Sequence, residues 1–441
     1  MSLPTSRRAL LLGLGATGFG LKSAVAKNTG MLDAAEFGMV ADSASDQSEN
    51  FQRLVDYAAT SGKALILGGG TFRVGNIALT SNLTISGLRG ATLLKGYGGQ
   101  PVLSANRIKN LKITDILIDG ADIGANNLLE IKQCRNFSLE ALELINSAGN
   151  GIGATQCQGM IRNCTISNIN QSAIHLQNSA SMIVSQNRIS NCANGGIRVW
   201  RSENGYDGTI VTNNRISGIG SLSGNGQNGN GINIFKADNV IVANNVIDNC
   251  NFSAIRANST NNTIIKANQC SDCREVAIFS EFAFTGSMIA GNIIDKAAAG
   301  ISITNFNDGG RLAICANNIV RNILPFSPTN PDTRPVGIFV EADSAVSANL
   351  VDNVPGTGIA LGWGPYLRNV MAANNIVRQT EIGIAVSVAQ GAGFAKINGN
   401  MISGASRAAL AGTAWRDIVS ADLVMDAARF ANISLSNNSA N

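Results

Sequence analysis

The 441-residue chain has little charge, few aromatic residues, and almost no proline or histidine. Charged residues make up 14% of it and aromatic residues 5%, with 8 Pro and 1 His. A helical protein of this length would hold more Leu, Glu and Lys, which argues against a mainly helical fold. Cys270 and Cys273 have the spacing of a zinc-binding pair, but the chain has no second such pair and only one His, which argues against a zinc site. No segment reaches the roughly 18 uninterrupted apolar residues of a membrane span.

Gly and Asn are what the chain has in excess. Gly numbers 48 and Asn is commoner still. Both adopt left-handed backbone angles at low cost, which indicates many tight turns. With 45% apolar residues the chain can bury a large core, so it is not disordered. The formal net charge of +4 is mostly due to Arg7, Arg8 and Lys22, near the N-terminus.

The first 26 residues have the pattern of an export signal. Arg7 and Arg8 precede the apolar stretch 9–21, and small residues ending at Ala26 provide a cleavage site. This pattern resembles a twin-arginine signal. We therefore expect folded export by the twin-arginine (Tat) translocation machinery to the periplasm or the cell exterior, with no membrane span after cleavage.

Residues 27–75 are predicted to form an N-terminal cap. Asp46, an expected N-cap, begins a stretch with apolar residues at helical spacing that ends at Gly62, and this pattern indicates one short helix. Two short strands follow it. Residues 76–415 are assigned to a repeat domain, and 416–441 to a C-terminal cap or tail.

Two marks recur through the repeat domain. Asn followed two positions later by an apolar residue occurs at Asn187, Asn214, Asn245, Asn268, Asn292, Asn318, Asn349, Asn375 and Asn400. A small residue followed by Ile occurs at Ile152, Ile174, Ile197, Ile232, Ile255, Ile278, Ile301, Ile338, Ile359 and Ile384. The alternating stretches between the marks predict short strands that bury one face only by stacking on neighbouring repeats. This predicts an all-β, single-stranded parallel β-helix solenoid of roughly 11–13 turns with a short N-terminal capping helix.

The N-terminal segment resembles the opening of the pectate-lyase-like β-helix superfamily. The resemblance lies in 36–38, Asp42, 51–52, Leu54 and 70–72. The export signal with Asn-rich repeats is also similar to a bacterial family of exported repeat proteins. The resemblance implies a right-handed coil with three sheets, and carbohydrate as the commonest substrate.

Alignment of the repeats separates structural columns from a candidate site. The Asn mark is predicted to form a turn ladder, with its amides bonded along the stack. The eight Cys fall in inward columns and are expected to be small buried apolar residues. A disulfide between Cys250 and Cys273 remains open at one-turn spacing.

The columns beside the Ile mark are predicted to point outward, because side chains alternate along a strand. The first reads Glu130, Gly153, His175, Arg198, Asn233, Arg256, Phe279, Ser302 and Phe339. The second reads Lys132, Thr155, Gln177, Trp200, Phe235, Asn258, Glu281, Thr304 and Glu341. Longer loops at 217–230 and 322–335 border the strip on one side, with excursions at 203–207 and 307–311 on the other. Insertions on one face of a solenoid mark a binding face.

Cations and aromatic rings on this strip suit an acidic polysaccharide, because guanidinium groups bind carboxylates and aromatic faces pack on sugar rings. In a uronate lyase, Arg198 or Arg256 would neutralise the carboxylate and His175 or Lys236 would act as base. In a glycoside hydrolase, the candidate carboxylates are Glu203 and Glu281. The predicted catalytic residues are His175, Arg198, Lys236, Arg256 and Glu281. The predicted substrate-binding residues are Trp200, Arg201, Glu203, Asn233, Phe235, Asn258 and Glu341.

Two function classes stay open at this point. The preferred interpretation is an exported protein that binds an acidic polysaccharide, with cleavage of that polysaccharide left open. The alternative is a non-catalytic glycan-binding, adhesion or envelope scaffold protein. The sequence lacks the motifs of polygalacturonases, mannuronan epimerases and calcium-dependent pectate lyases. No cofactor is predicted, calcium is left open, and nucleic acid is not an expected partner because there is no dense basic face.

Overall fold

The computed structural model describes residues 30–120, 127–224 and 226–441. The predicted signal, with Arg7, Arg8 and Ala26, lies outside the described residues. Within them, no helix is both long and apolar enough to cross a membrane. The predicted solenoid is confirmed, with about 13 turns of parallel strands. Its strands form a 16-stranded sheet, here called sheet 1, and a 25-stranded sheet, whose two stacks of strands are here called sheets 2 and 3. Strands of consecutive turns pair in register.

Sheet 1 is built from short strands that stack along the solenoid. Its 16 strands are Met31–Asp33, Ala64–Ile66, Leu83–Ser86, Lys109–Thr114, Arg135–Glu140, Gln158–Arg162, Ile183–Ser185, Ile210–Thr212, Ile241–Ala243, Thr263–Lys266, Thr285–Ala290, Arg311–Ala316, Ser344–Ser347, Val370–Ala373, Ala395–Asn398 and Ile433–Ser436. These strands run parallel.

Sheets 2 and 3 share several long strands that bend from one sheet into the other. The shared strands are Gln269–Glu281, Ile293–Ile303, Leu350–Leu361, Ile376–Ser387 and Met401–Ala414. Sheet 2 also contains Gly70–Val74, Thr92–Gly96, Leu117–Asp119, Glu143–Ser147, Thr165–Ile169, Arg188–Cys192, Arg215–Ile219, Val246–Cys250, Ile319–Arg321 and Ser439–Ala440. Sheet 3 also contains Ile77–Leu79, Leu103–Asn106, Asn127–Lys132, Asn150–Thr155, Ser172–Gln177, Gly195–Tyr206, Asn230–Asp238, Ile255–Asn258 and Val336–Val340. Asp417–Ser420 pairs antiparallel with the end of Met401–Ala414.

The helix Ser48–Ser61 lies beside the first turns and buries Phe51, Leu54, Val55 and Ala58. Its N-cap is Gln47 rather than the expected Asp46, whose carboxylate instead accepts from the Ser48 amide at 2.9 Å. Gly62 ends the helix with φ of 66°, a left-handed angle that favours glycine. A shorter helix, Leu423–Asp426, lies near the C-terminus.

The predicted Asn ladder forms at the corner between sheets 1 and 2. Asn268 donates from Nδ2 to Asn292 Oδ1 at 3.0 Å and to the Val242 carbonyl at 3.1 Å. Its own Oδ1 accepts from the backbone and side-chain amides of Asn245. The same bonds recur from Asn187 to Asn400, and each of these residues is buried. The ladder supplies partners to backbone groups that the corners would otherwise leave unsatisfied.

We expect Asn268→Ala to lower the free energy of unfolding by at least about 2 kcal/mol, because it leaves several buried groups without partners. Denaturant titration followed by circular dichroism would measure the change. Asn307→Ala is the matched control, because Asn307 is exposed. An equal loss in both variants would contradict a structural role for the ladder.

All eight Cys are buried free thiols. Cys250 and Cys273 occupy paired positions in adjacent strands, but no disulfide joins them. Burial raises the pKa of the Cys192 thiol to about 12, so this thiol stays protonated at neutral pH. The prediction that these columns face the core is confirmed, with Cys192, Cys250 and Cys273 each at most 1% exposed.

Candidate functional site

The outer face of sheet 3 carries the predicted strip, and this surface is here called the front groove. Strand pairing aligns Glu130, Gly153, His175, Arg198, Asn233, Arg256, Phe279, Ser302 and Phe339 in one continuous column. It aligns Lys132, Thr155, Gln177, Trp200, Phe235, Asn258 and Glu281 in a second. The neighbouring inward residues, such as Ile174 and Ile197, are fully buried. The predicted register is therefore observed as far as Phe339 in the first column and Glu281 in the second. Loop residues such as Asn228 contact side chains of the groove.

Three aromatic rings stack along neighbouring turns of the groove. The ring centroids of His175 and Trp200 are 5.4 Å apart, and those of Trp200 and Phe235 are 5.9 Å apart, both edge to face. The Trp200 indole N–H donates to Asn233 Oδ1 at 3.1 Å. These contacts fix the rings, so they form a rigid platform along the solenoid axis.

Arg198 is a buried cation without an acidic partner. It is 8% exposed, and its guanidinium lies 4.8 Å from the Trp200 ring centroid. One nitrogen donates to Asn228 Oδ1 at 2.6 Å and to the Asn194 carbonyl at 3.2 Å, both neutral acceptors. No described carboxylate pairs with it, and its buried Nε has no hydrogen-bond partner among the described residues. Burial lowers the pKa of Arg198 to about 10, so it remains charged at neutral pH.

His175 is neutral at physiological pH. Burial, and next the charge of Arg198, lower its pKa to about 4, against a hydrogen bond with Gln177 that raises it. In the described part of the chain its buried Nε2 has no hydrogen-bond partner. The neutral imidazole therefore lies beside a cation with its Nε2 unpartnered among the described residues.

Gly195 packs closely against two polar side chains, with no room for a side chain of its own. A methyl group added to Gly195 would lie 2.7 Å from Ser172 Oγ and 3.0 Å from Arg198 Nε. Ser172 is fully buried, and its Oγ also lacks a partner within the described residues. Two buried polar groups that have no partner among the described residues therefore lie next to each other beside Gly195.

Arg256 differs from Arg198, because two buried carboxylates neutralise it. Its Nε and one Nη donate to the two Glu281 oxygens at 2.6 and 2.8 Å, and the other Nη donates to Glu275 at 2.9 Å. Burial is the largest single effect on the pKa of Arg256 and lowers it, but the charges and hydrogen bonds of Glu281 and Glu275 together outweigh burial and raise the pKa. Asn258 adds a bond to Glu281 at 2.8 Å. We therefore assign Arg256, Glu281 and Asn258 to a structural ion cluster rather than to free substrate contacts.

The carboxylates proposed for hydrolysis occupy different environments. The Glu203 side chain is 91% exposed on the groove border, and that of Glu281 is 3% exposed with both oxygens bonded. This arrangement does not present two free carboxylates to one sugar. Glu341, also predicted to bind substrate, has a buried carboxyl group. Burial raises the pKa of this group to about 7, and it accepts a hydrogen bond from the Phe306 amide at 2.7 Å.

Lys236 and Arg201 lie at the border of the groove. The Lys236 ammonium is 5.4 Å from the Phe235 ring centroid and donates to the Ser202 carbonyl at 3.1 Å. Glu203 approaches it at 4.0 Å. Arg201 donates to the Ser179 carbonyl at 3.4 Å. These two cations contribute positive charge at the rim, where a polymer would first make contact.

Sequence reasoning missed four residues of this site: Ser172, Asn228, Glu275 and Asn330. Asn228 belongs to the loop 217–230, and Asn330, from the loop 322–335, donates to Glu275 at 2.9 Å. Loop contacts have no periodic signal. Ser172 and Glu275 lie before the Ile mark, at a position that the column analysis left out. No group of three or more potential ligand residues that could hold a metal ion occurs among the described residues.

Comparison with known proteins supports the fold. No curated protein matches the chain by sequence. Among solved structures, the chain is similar to the A-module of an Azotobacter vinelandii mannuronan C-5 epimerase, with 15% identity, a TM-score of 0.53, and 93% of this chain and 99% of that chain covered.

A second similar structure is a mutant tailspike protein of E. coli bacteriophage HK620 in complex with a pentasaccharide. It has 13% identity and a TM-score of 0.60, with 92% of this chain and 80% of that chain covered. Such low identities establish the shared fold alone. The family described as the right-handed β-helix region matches residues 102–226 and 195–375, which together span more than half of the chain. The chain belongs to this right-handed β-helix family.

Proposed function

We propose that this protein binds an acidic polysaccharide in the front groove and cleaves it by β-elimination. The observation that carries the proposal is Arg198, a buried guanidinium beside an aromatic platform with no acidic partner in the described chain. A buried charge is unfavourable unless an opposite charge pairs with it, so the site suits a ligand carboxylate. The epimerase of mannuronan and the tailspike bound to a pentasaccharide support a carbohydrate as that ligand.

The chemistry follows from the neighbours of Arg198. In β-elimination, a base removes the proton next to the uronate carboxylate, a carbon–carbon double bond forms, the glycosidic carbon–oxygen bond breaks, and the leaving oxygen takes a proton from water. Arg198 would stabilise the negative charge that develops on the carboxylate. The free His175 Nε2 would accept the proton. Because the pKa of His175 is about 4, activity should rise as the pH increases through about 4 and then level off.

A panel of uronate and neutral polymers tests this function. We expect retention of uronate polymers and an increase in ultraviolet absorbance from the unsaturated product. Retention without product would support the non-catalytic glycan-binding alternative, and new reducing ends without unsaturation would favour hydrolysis. Failure to retain any uronate polymer would refute the proposal.

The function also presupposes export by the Tat machinery, and protease protection of the full-length protein in fractionated cells would test that localisation.

A further inference from the structure

Two of the three Trp residues of the chain lie together near the C-terminal end of the solenoid. The ring centroids of Trp363 and Trp415 are 5.7 Å apart, and those of Tyr366 and Trp415 are 6.3 Å apart, with interplanar angles of 81° and 79°. We name Trp363, Gly364, Tyr366 and Trp415 the aromatic cradle. These residues lie outside the columns that the repeat pattern predicts, so stacking of the turns does not account for them.

A tight turn holds the aromatic cradle in place. The Trp363 amide donates to the Tyr366 carbonyl at 3.2 Å, and the Tyr366 amide donates to the Trp363 carbonyl at 3.0 Å. The Gly364 carbonyl accepts from Ser387 Oγ at 2.6 Å, and Ser387 is buried on the following strand of sheet 3. Hydrogen bonds within the turn and to the solenoid therefore fix the position of both rings.

Gly364 lies over one face of the Trp415 ring. A methyl group added to Gly364 would be 2.6 Å from two atoms of the six-membered ring of Trp415 and 2.7 Å from a third. Nearly equal distances to three neighbouring ring atoms place this group above the ring rather than at its edge. Trp415 is still 48% exposed, so backbone covers part of the indole while the rest is open to solvent.

Trp415 is held in an unusual backbone conformation. It lies in the two-residue turn between the antiparallel strands Met401–Ala414 and Asp417–Ser420, with φ of 57°. Few bulky residues adopt this left-handed angle, which Asn adopts most often elsewhere in the chain. Ile418 packs against a small apolar cluster that includes Ala411 and thereby anchors the hairpin on sheet 3. Strain of this kind persists where surrounding contacts impose it, and it is concentrated at functional sites.

The aromatic cradle lies on the same border of the front groove as Arg201. Arg201 directly follows Trp200 of the second column. Trp363 directly follows Gly362, which the pairing of the preceding residues puts level with Glu341 of that column. Six strand spacings of about 4.8 Å, or about 29 Å, separate the two positions along the solenoid. A long polymer that follows this border reaches both positions, whereas a disaccharide does not.

We propose that the aromatic cradle is a second sugar-binding site, where a distant pyranose ring of the polymer bound at Arg198 packs on the open part of Trp415. The inference rests on the proposed function, because it takes a part of the same polymer as the occupant. The C–H faces of a pyranose are apolar and match an indole ring in size, and its hydroxyl groups need polar neighbours. Arg416 and Asp417, both exposed beside Trp415, provide such neighbours.

The size of the aromatic cradle also favours a sugar over a protein partner. Three partly covered rings cannot provide the roughly 800 Å² per partner of a standard protein interface. Phe282, 40% exposed, directly follows Glu281 on the same border and lies between the cradle and Arg201. The border therefore offers a further apolar surface along the path of the polymer.

Binding of a long uronate polymer and of a uronate disaccharide by matched variants tests the proposal. We expect Trp415→Asn to lower affinity for the polymer about 10-fold and to leave affinity for the disaccharide unchanged. Asn suits the left-handed angle at this position, so the substitution removes the ring without adding backbone strain. Trp363→Ala should act in the same direction. Tyr97→Ala is the control, because Tyr97 is 49% exposed near the first turns and should leave both affinities unchanged.

Undiminished affinity for the polymer in folded Trp415→Asn and Trp363→Ala would overturn the proposal. An equal loss in Tyr97→Ala would do so as well, as would a matching loss of affinity for the disaccharide, which would show an indirect effect on the Arg198 site. Circular dichroism and melting temperature identify any variant that fails to fold. Affinity electrophoresis would measure binding of the polymer, and calorimetry would measure binding of the disaccharide.

Failure of this inference differs from failure of the proposed function. Retention of uronate polymers that the cradle variants leave intact would refute the second site and leave the proposed function standing. Retention of neutral polymers alone, lost in Trp415→Asn, would support a sugar site at the cradle and refute binding of an acidic polymer. A protein that retains no polymer of either kind would refute both.

Discussion

Replacing Arg198 with Ala should weaken retention of a uronate polymer by about 100-fold. The guanidinium is the one buried groove cation whose charge no described carboxylate offsets, so a bound carboxylate would pair with it in a site that excludes water. Removing one partner of such a pair typically costs 2–5 kcal/mol, and about 2.8 kcal/mol corresponds to a factor of 100 in affinity. Affinity electrophoresis or isothermal titration calorimetry would measure the change.

Three comparison variants make this result specific. Arg198→Lys keeps the charge but loses the forked geometry and should retain part of the affinity. Arg162→Ala removes an arginine from sheet 1 and should leave binding unaltered. Gly195→Ala would place a methyl group against Ser172 Oγ and Arg198 Nε, and should reduce affinity without removing any charge. Undiminished binding by Arg198→Ala would show that the carboxylate binds elsewhere.

Replacing Arg256 with Ala should destabilise the fold by about 3–5 kcal/mol. The substitution leaves two buried carboxylates, Glu275 and Glu281, without their shared cation, and breaking a buried ion pair on one side has costs of this size. Arg321→Ala is the control, because the side chain of Arg321 is half exposed in its pair with Asp295 and should change stability by less than about 1 kcal/mol. Thermal or denaturant unfolding would measure both.

The cause of the Arg256 effect can be separated from simple loss of packing. Adding Glu275→Gln and Glu281→Gln to Arg256→Ala removes the unpaired charges and should restore much of the lost stability. Lowering the pH should also reduce the defect of Arg256→Ala, since an unpaired buried carboxylate takes up a proton more readily in the folded state than in the unfolded state. If neither treatment helps, the cluster does not act through its charges.

The groove shows how far a repeat pattern predicts a site. The alternation beside the Ile mark predicted the column through His175, Arg198 and Arg256, and strand pairing confirms its register. The same pattern gave the two arginines equal roles, because it describes only which face a residue occupies. They differ in their partners, which include the carboxylate of Glu275 at Arg256 and the neutral amide of Asn228 at Arg198, two residues outside the predicted columns.

The sequence by itself determined the solenoid, its inward columns, its Asn ladder and the face that carries the groove. These properties repeat in every turn, and stacking at a constant spacing converts a period in the sequence directly into a column in space. Only the tertiary structure decided which groove residues are free. Residues of the longer loops contact side chains of the groove, so burial and hydrogen bonding there depend on contacts between residues with no periodic relation. The excess of Asn and Gly therefore specified the coil, whereas the roles of the few charged residues, such as Arg198 and Arg256, depend on their contacts in the folded protein.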